Sequence, residues 1–258
     1  MKHIFIFVGL LFCVFKGHTQ NPVNDSAQHI TLDTLTVSAP AGPLVYRATE
    51  PRVWDIRNTR ISLHFNWTEK TADAREWIRL RPYFYATDSL VLDAKGMHID
   101  SVQLTGKKGT INLDYRYEND QLKIHFGQVY TRTDSIELFF KYTALPYTAP
   151  TGGSSAISDD RGLYFVNTDY SIPHKPAQIW TQGETESNSH WMITIDKPNT
   201  RFTTQVELNV PDSFTTLSNG AMVKQWKEKK RDPHRCMEDG PADTAVRCDV
   251  CNWQIQRS

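Results

Sequence analysis

The sequence predicts an all-β domain, folded as an antiparallel sandwich or saddle of sheets. Apolar residues recur with period two in many short runs, and turn-forming residues separate those runs. No window holds apolar residues at helical spacing for three turns. Aromatic residues make up 11% of the chain, and with the many Thr and Val they favour strands over disorder. At 258 residues the chain is long enough to bury a core of useful size. Its 29 basic side chains balance 29 acidic ones, so no excess positive field is offered to phosphates and no nucleic-acid partner is expected.

Residues 1–20 read as a secretory signal peptide. Met1 to His3 form a short basic region, and Ile4 to Phe15 are an almost unbroken apolar run. That run is shorter than the roughly 20 apolar residues a bilayer span needs. Cleavage near Gln20 removes Cys13 and leaves three of the four cysteines in the mature chain. A lipoprotein would carry a small residue before Cys13, where this chain has Phe12. The expected location is therefore periplasmic or extracellular, in a bacterial setting, with no membrane association after cleavage. A buried strand or helix start is the competing account of the same run. Residues 21–49 are a polar leader that offers one edge strand around Thr31 to Val37.

The β domain is expected over residues 50–228. Ile61, Leu63, Phe65 and Trp67 share one strand face, with Arg60, Ser62, His64 and Asn66 on the other. The alternation recurs at Ile78, Leu80 and Phe84, at Leu90 and Leu92, and at Leu113, Tyr115 and Tyr117. It continues at Leu122, Ile124 and Phe126, at Ile136 to Tyr142, and at Val206, Leu208 and Val210. Glu118-Asn119-Asp120 is read as a hairpin loop, because Asn and Asp tolerate left-handed backbone. Ala149 to Asp160, rich in Gly and Ser, is a surface loop.

Several chemistries find no support. No two of the nine histidines stand four residues apart, so the H-E-x-x-H zinc helix is absent. No G-x-S-x-G elbow and no phosphate-cradling glycine loop is present. His174 and His190 read as surface or hydrogen-bonded structural histidines. Asn66-Trp67-Thr68 fits a glycosylation sequon, a pattern common by chance. In the tail, His234 and Cys236 with Cys248 and Cys251 have the spacing of a small zinc ribbon. A disulfide with one leftover thiol is the alternative.

From Leu163 to Gly220 a series of short motifs follows in order. Gln178 to Glu184 is followed by Trp191 to Ile195, Asp196-Lys197-Pro198-Asn199, Arg201-Phe202-Thr203-Thr204, Val210-Pro211-Asp212 and Ser218-Asn219-Gly220. Asp88 to Ala94 and Tyr142-Thr143-Ala144 fit upstream. This series resembles the N-terminal domain of the aminopeptidase N family of zinc metallopeptidases, over roughly residues 50 to 228.

The resemblance implies the saddle-like sandwich of sheets that such domains have, lying against a separate catalytic domain. It also implies that the Gln-x-Glu element, here Gln182 and Glu184, grips the free α-amino group of a peptide substrate. A carboxylate pairs well with an ammonium, and an amide oxygen accepts a further hydrogen bond. Without the surrounding motifs, Gln182 and Glu184 would read as two polar residues of a solvated loop. The parent reaction would be zinc-dependent removal of N-terminal residues from peptides, with zinc held in the full-length family and no cofactor in this chain. The family's G-x-M-E-N segment, H-E-x-x-H helix and downstream Glu ligand do not occur here, so the expectation is a domain truncated before its catalytic partner and inactive alone. Its peptide substrate would be reached through that missing domain. The runner-up is an autonomous exported β-sandwich module that binds peptide or glycan.

Residues 229–258 do not match the family as written. Read one base further on, Met237-Glu238 forces a Trp codon and Trp253-Gln254 forces a Gly codon, both where the family has those residues. The expectation is a frameshift near Lys230, with residues 229–258 as its out-of-frame tail.

Overall fold

The computed structural model describes residues 48–106, 109–148, 159–226, 234–238 and 253–257. The possible edge strand at Thr31 to Val37, the signal segment, most of the Ala149 to Asp160 loop, and Cys248 and Cys251 lie outside them. The strands, in order, are β1 (Trp54–Asn66), β2 (Thr71–Pro82), β3 (Thr87–Asp93), β4 (Met97–Gly106), β5 (Gly109–Asn112), β6 (Tyr115–Glu118), β7 (Gln121–Tyr130) and β8 (Ile136–Ala144). After them come β9 (Leu163–Val166), β10 (Gln178–Thr181), β11 (Thr203–Asn209), β12 (Phe214–Ser218), β13 (Ala221–Trp226), β14 (His234–Glu238) and β15 (Trp253–Arg257). One 3₁₀ turn, Asn188–His190, interrupts the described strands. The all-β expectation holds.

The described strands form three sheets: an eight-stranded sheet ordered β13-β14-β11-β1-β2-β8-β4-β5, a four-stranded sheet β12-β15-β10-β9, and a three-stranded sheet β3-β7-β6. Pairing is antiparallel except between β1 and β11, which run parallel with Ile61 opposite Val206 and Leu63 opposite Leu208. A parallel pair needs a long crossover, and here the chain between β1 and β11 supplies it by building the rest of the domain.

Alternation explains where the core sits. On β2, Ala72, Ala74, Ile78 and Leu80 are buried, while Asp73, Arg75, Arg79 and Arg81 are exposed. Ile61 and Leu63 of β1 and Leu138 and Phe140 of β8 extend the same inward face. Leu90, Leu92, Leu122 and Ile124 of the small sheet join this core, as do Leu163, Phe165, Ile179 and Ile255 of the four-stranded sheet. Burying such a side chain fully contributes about 1.5–3 kcal/mol, so this shared face dominates the fold's stability. Trp54 closes one end, with Phe126 and Tyr130 at ring distances of 5.6 and 6.4 Å.

Some positions depart from the expected pattern. Phe84 lies beyond the end of β2 and is 60% exposed, because the chain leaves the sheet after Pro82. Trp67 follows β1 rather than belonging to it, and packs half-buried on Phe214 at 4.7 Å between centroids. The hairpin is as expected: Asn119 and Asp120 have φ of 53° and 58°, and Glu118 pairs with Gln121. Two stretches of residues 229–258 take sheet positions, β14 between β13 and β11, and β15 between β12 and β10.

Candidate functional site

The site is built at the end of β10. Thr181 pairs with Leu163 of β9, and the next amide, Gln182 N–H, donates to the Gly162 carbonyl at 2.9 Å. Gly162 has φ of 69°, and a Cβ there would overlap the Ser187 carbonyl, so only glycine lets the chain pass this close. Gly183 meets a similar limit, since a Cβ would lie 2.7 Å from Asn188 Cγ. The Gly183 carbonyl then accepts the N–H groups of Glu186 and Ser187 at 3.1 and 2.9 Å. This tight turn leaves Glu184, Thr185 and Glu186 exposed while Ser187 to His190 are buried. The Glu184–Thr185 peptide bond is cis.

Gln182 and Glu184 converge. Gln182 Nε2 donates to Glu184 Oε2 at 3.4 Å. With its amide nitrogen turned to the carboxylate, Gln182 keeps its oxygen free to accept. The cations nearby are engaged elsewhere: Lys197 Nζ bonds the Glu186 carboxylate at 3.1 Å, and Lys95 Nζ donates to the Glu186 carbonyl at 2.7 Å. Among the described residues, no cation pairs with Glu184.

The loop rests on a buried polar brace. Asp196 Oδ2 accepts the Ser189 N–H at 2.8 Å, and the Asp196 N–H donates to Asp93 Oδ2 at 2.9 Å. Asp93 and Thr194 exchange backbone hydrogen bonds, and Lys95 N–H donates to the Ser189 carbonyl at 2.7 Å. Burial raises the Asp196 carboxyl above its ordinary range. Asn188 Oδ1 and His190 Nδ1 are buried without hydrogen-bond partners. Burial, then repulsion from Lys95, pushes the His190 imidazole down to about 4, so it is neutral at pH 7. His190 is thus a buried side chain of the loop's foundation, whereas His174 is exposed at φ of 60°.

Glu76 was not singled out by the sequence reading. It sits on β2 in phase with the inward apolar face, and it is completely buried. An acidic residue in the apolar register of a strand is the signal that would have found it. Its Oε2 accepts the Ile193 N–H at 3.0 Å and lies 2.7 Å from the Tyr142 hydroxyl oxygen.

Zinc has no holder among the described residues, which contain no group of three His, Cys, Asp or Glu side chains placed to bind a metal. The candidate ribbon depends on Cys248 and Cys251, which lie outside the described residues.

A family model described as the peptidase M1 N-terminal domain matches residues 46–235. No curated protein sequence matches the chain. Among solved structures, the M1 zinc metallopeptidase from Deinococcus radiodurans is similar at a TM-score of 0.60 and 13% identity, covering 80% of this chain and 42% of that one. A mutant of that enzyme bound to a Tyr-Ser-Ala substrate matches at 0.59 and 13% identity, with 80% and 43% covered. A two-domain M1 zinc metallopeptidase mutant bound to L-tryptophan matches at 0.62 and 14% identity, with 82% and 44% covered. The chain spans less than half the length of each of these structures.

Proposed function

Because this chain belongs to the peptidase M1 N-terminal domain family, we propose that it is the amine-recognition domain of a zinc metallo-aminopeptidase. The observation that carries this is the convergence of Gln182 and Glu184 on an exposed turn, with no cation paired to the carboxylate. A peptide's ammonium would bond Glu184, and the Gln182 oxygen would accept a second N–H. The buried brace beneath holds the loop from which both side chains project, which lowers the ordering cost of binding. The substrate class is therefore peptides with a free N-terminus, and the bond-breaking machinery, with its zinc, belongs to a catalytic domain completing the cleft.

Residues 229–258 are proposed to be out of frame, supported by the two forced codons, and the polypeptide as written is proposed to lack peptidase activity alone. Residues 1–20 are proposed to direct export, supported by the basic and apolar regions at the N-terminus. N-terminal sequencing of the secreted protein should then begin near Asn21.

Calorimetric titration of the chain with Tyr-Ser-Ala and with its N-acetylated form tests the function. The free-amine peptide is expected to bind at least tenfold tighter, and Glu184→Ala should erase the difference. Equal affinity for both peptides would overturn amine recognition and favour a general peptide-binding module.

A further inference from the structure

Glu76, Tyr142 and the backbone of Trp191 to Ile193 form one hydrogen-bonded cluster that links the large sheet to the loop. Tyr142 Oη lies 2.7 Å from Glu76 Oε2 and 3.0 Å from the Trp191 carbonyl oxygen. A phenol has one proton to give, so with Glu76 ionised it cannot serve both oxygens. With Glu76 protonated, both contacts are satisfied: the carboxylic O–H donates to Tyr142 Oη, and Tyr142 donates to Trp191. Ile193 N–H reaches the same carboxyl at 3.0 Å, and Oε1 is buried without a partner. An unpartnered oxygen is tolerable on a neutral acid and costly on a carboxylate.

The surroundings favour the neutral acid. Across the sheet Glu76 faces Ile61 of β1 and Phe140 of β8, and its inward neighbours on β2 are Ala74 and Ile78. Tyr142 is the titratable group that touches it, and burial with the adjacent acid holds that phenol well above its ordinary range. On the segment packed over it, His190 is neutral, Asp196 is taken by Ser189, and Lys197 by Glu186. Burial therefore lifts the Glu76 carboxyl from 4.5 to about 8, against the smaller opposing effects of the Tyr142 and Ile193 bonds.

A continuous path runs from this acid to the candidate site. The Asn188 carbonyl accepts the N–H groups of Trp191 and Met192 at 3.1 and 3.0 Å, and the Asn188 side chain lies directly under Gly183. We infer that Glu76 is a proton-dependent positioning residue: its neutral carboxyl, through Tyr142, locks Trp191–Ile193 to the large sheet and so fixes the turn that presents Glu184. Ionisation turns the Tyr142 proton away from the Trp191 carbonyl and loosens that turn. This inference rests on the reading of Glu184 as the amine ligand.

A peptide's own α-amine titrates near pH 7.7–8.0, so the test is made first without peptide. Backbone amide shifts of the full chain are followed by NMR from pH 5.5 to 9.5. Ile193 and the amides of Gly183 to Asn188 are expected to move together with one midpoint near 8. Glu76→Gln, which keeps a neutral donor at the same place, should fold and abolish that transition in both groups. Tyr142→Phe should keep the Ile193 transition and remove it from the loop amides. Absence of any transition, its persistence in Glu76→Gln, or an Ile193 transition that the wild-type loop does not follow would overturn the inference. Adding Tyr-Ser-Ala at pH 6.5 separates the two readings: a coupled transition without any peptide response sinks amine recognition alone.

Discussion

Gly162 and Gly183 hold the candidate site in shape by what they lack. A methyl group at 183 would press on the Asn188 amide, so Gly183→Ala is expected to cost about 1–3 kcal/mol in urea denaturation. Gly162→Ala should cost more, because it adds left-handed strain at φ of 69° to an overlap with a backbone carbonyl that cannot swing aside. Unchanged midpoints for both would show that the loop is not packed as described. Glu184→Ala is the contrasting case: the side chain is exposed, so stability should stay within about 0.5 kcal/mol while the preference for a free amine disappears. These residues differ in how far the sequence exposed them. Gln182 and Glu184 stand out in the sequence because linked motifs surround them. Glu76 does not, since its partners Tyr142 and Ile193 are 66 and 117 positions away in the chain.

At the scale of elements, long strands with clean alternation were legible and interrupted ones were not. β1, β2 and β8 follow their period-two pattern, whereas β4 hides its own behind a register shift between Ile99 and Ser101. β9 and β10 have four residues each, too few for a period to stand out. The brace between Asp93 and Thr194 is an isolated bridge that no periodicity announces. β14 and β15 raise a different question, since they lie in the stretch read as out of frame. Met237 pairs with Val206 and Met222, and Trp253 pairs with Ser218, so both codon-forced positions fall within strands. Resequencing the DNA from Lys230 onward should give a one-base shift that restores Trp and Gly there and reads on into H-E-x-x-H. A frame that reads as written would end the out-of-frame account. Ile255 is fully buried between β10 and β12, and Ile255→Ala is expected to lower stability by about 2–5 kcal/mol in the same urea assay.

For the whole molecule, the buried Glu76 and His190 shape stability against pH in opposite senses. Glu76 keeps its proton in the folded state up to about 8 but releases it near 4.5 when unfolded, so its contribution is full below 4.5 and lost as pH rises through 8. His190 stays neutral down to about 4 when folded but takes a proton near 6.5 when unfolded, so stability falls as pH drops through that range. Between 4.5 and 6.5 the two slopes oppose each other, and above 6.5 the Glu76 slope is no longer opposed by that of His190. Denaturation midpoints should therefore form a plateau at mildly acid pH and decline from 6.5 to 8, by at most about 1.4 kcal/mol per pH unit. Glu76→Gln should flatten the decline and, with no opposing slope, turn the plateau into a rise up to about 6.5, whereas a wild-type profile rising from 6.5 to 8 would contradict the buried neutral acid.

On the proposed function, amine recognition falls to this domain and bond cleavage to another, so the chain is expected to recognise a peptide's N-terminus without cutting it. Tyr-Ser-Ala incubated with the zinc-supplemented chain and followed by NMR tests that division most directly. The Glu184 amide is expected to shift on peptide addition while the tripeptide remains intact. Zinc-dependent release of free tyrosine, or no response at Glu184 to saturating peptide, would contradict it.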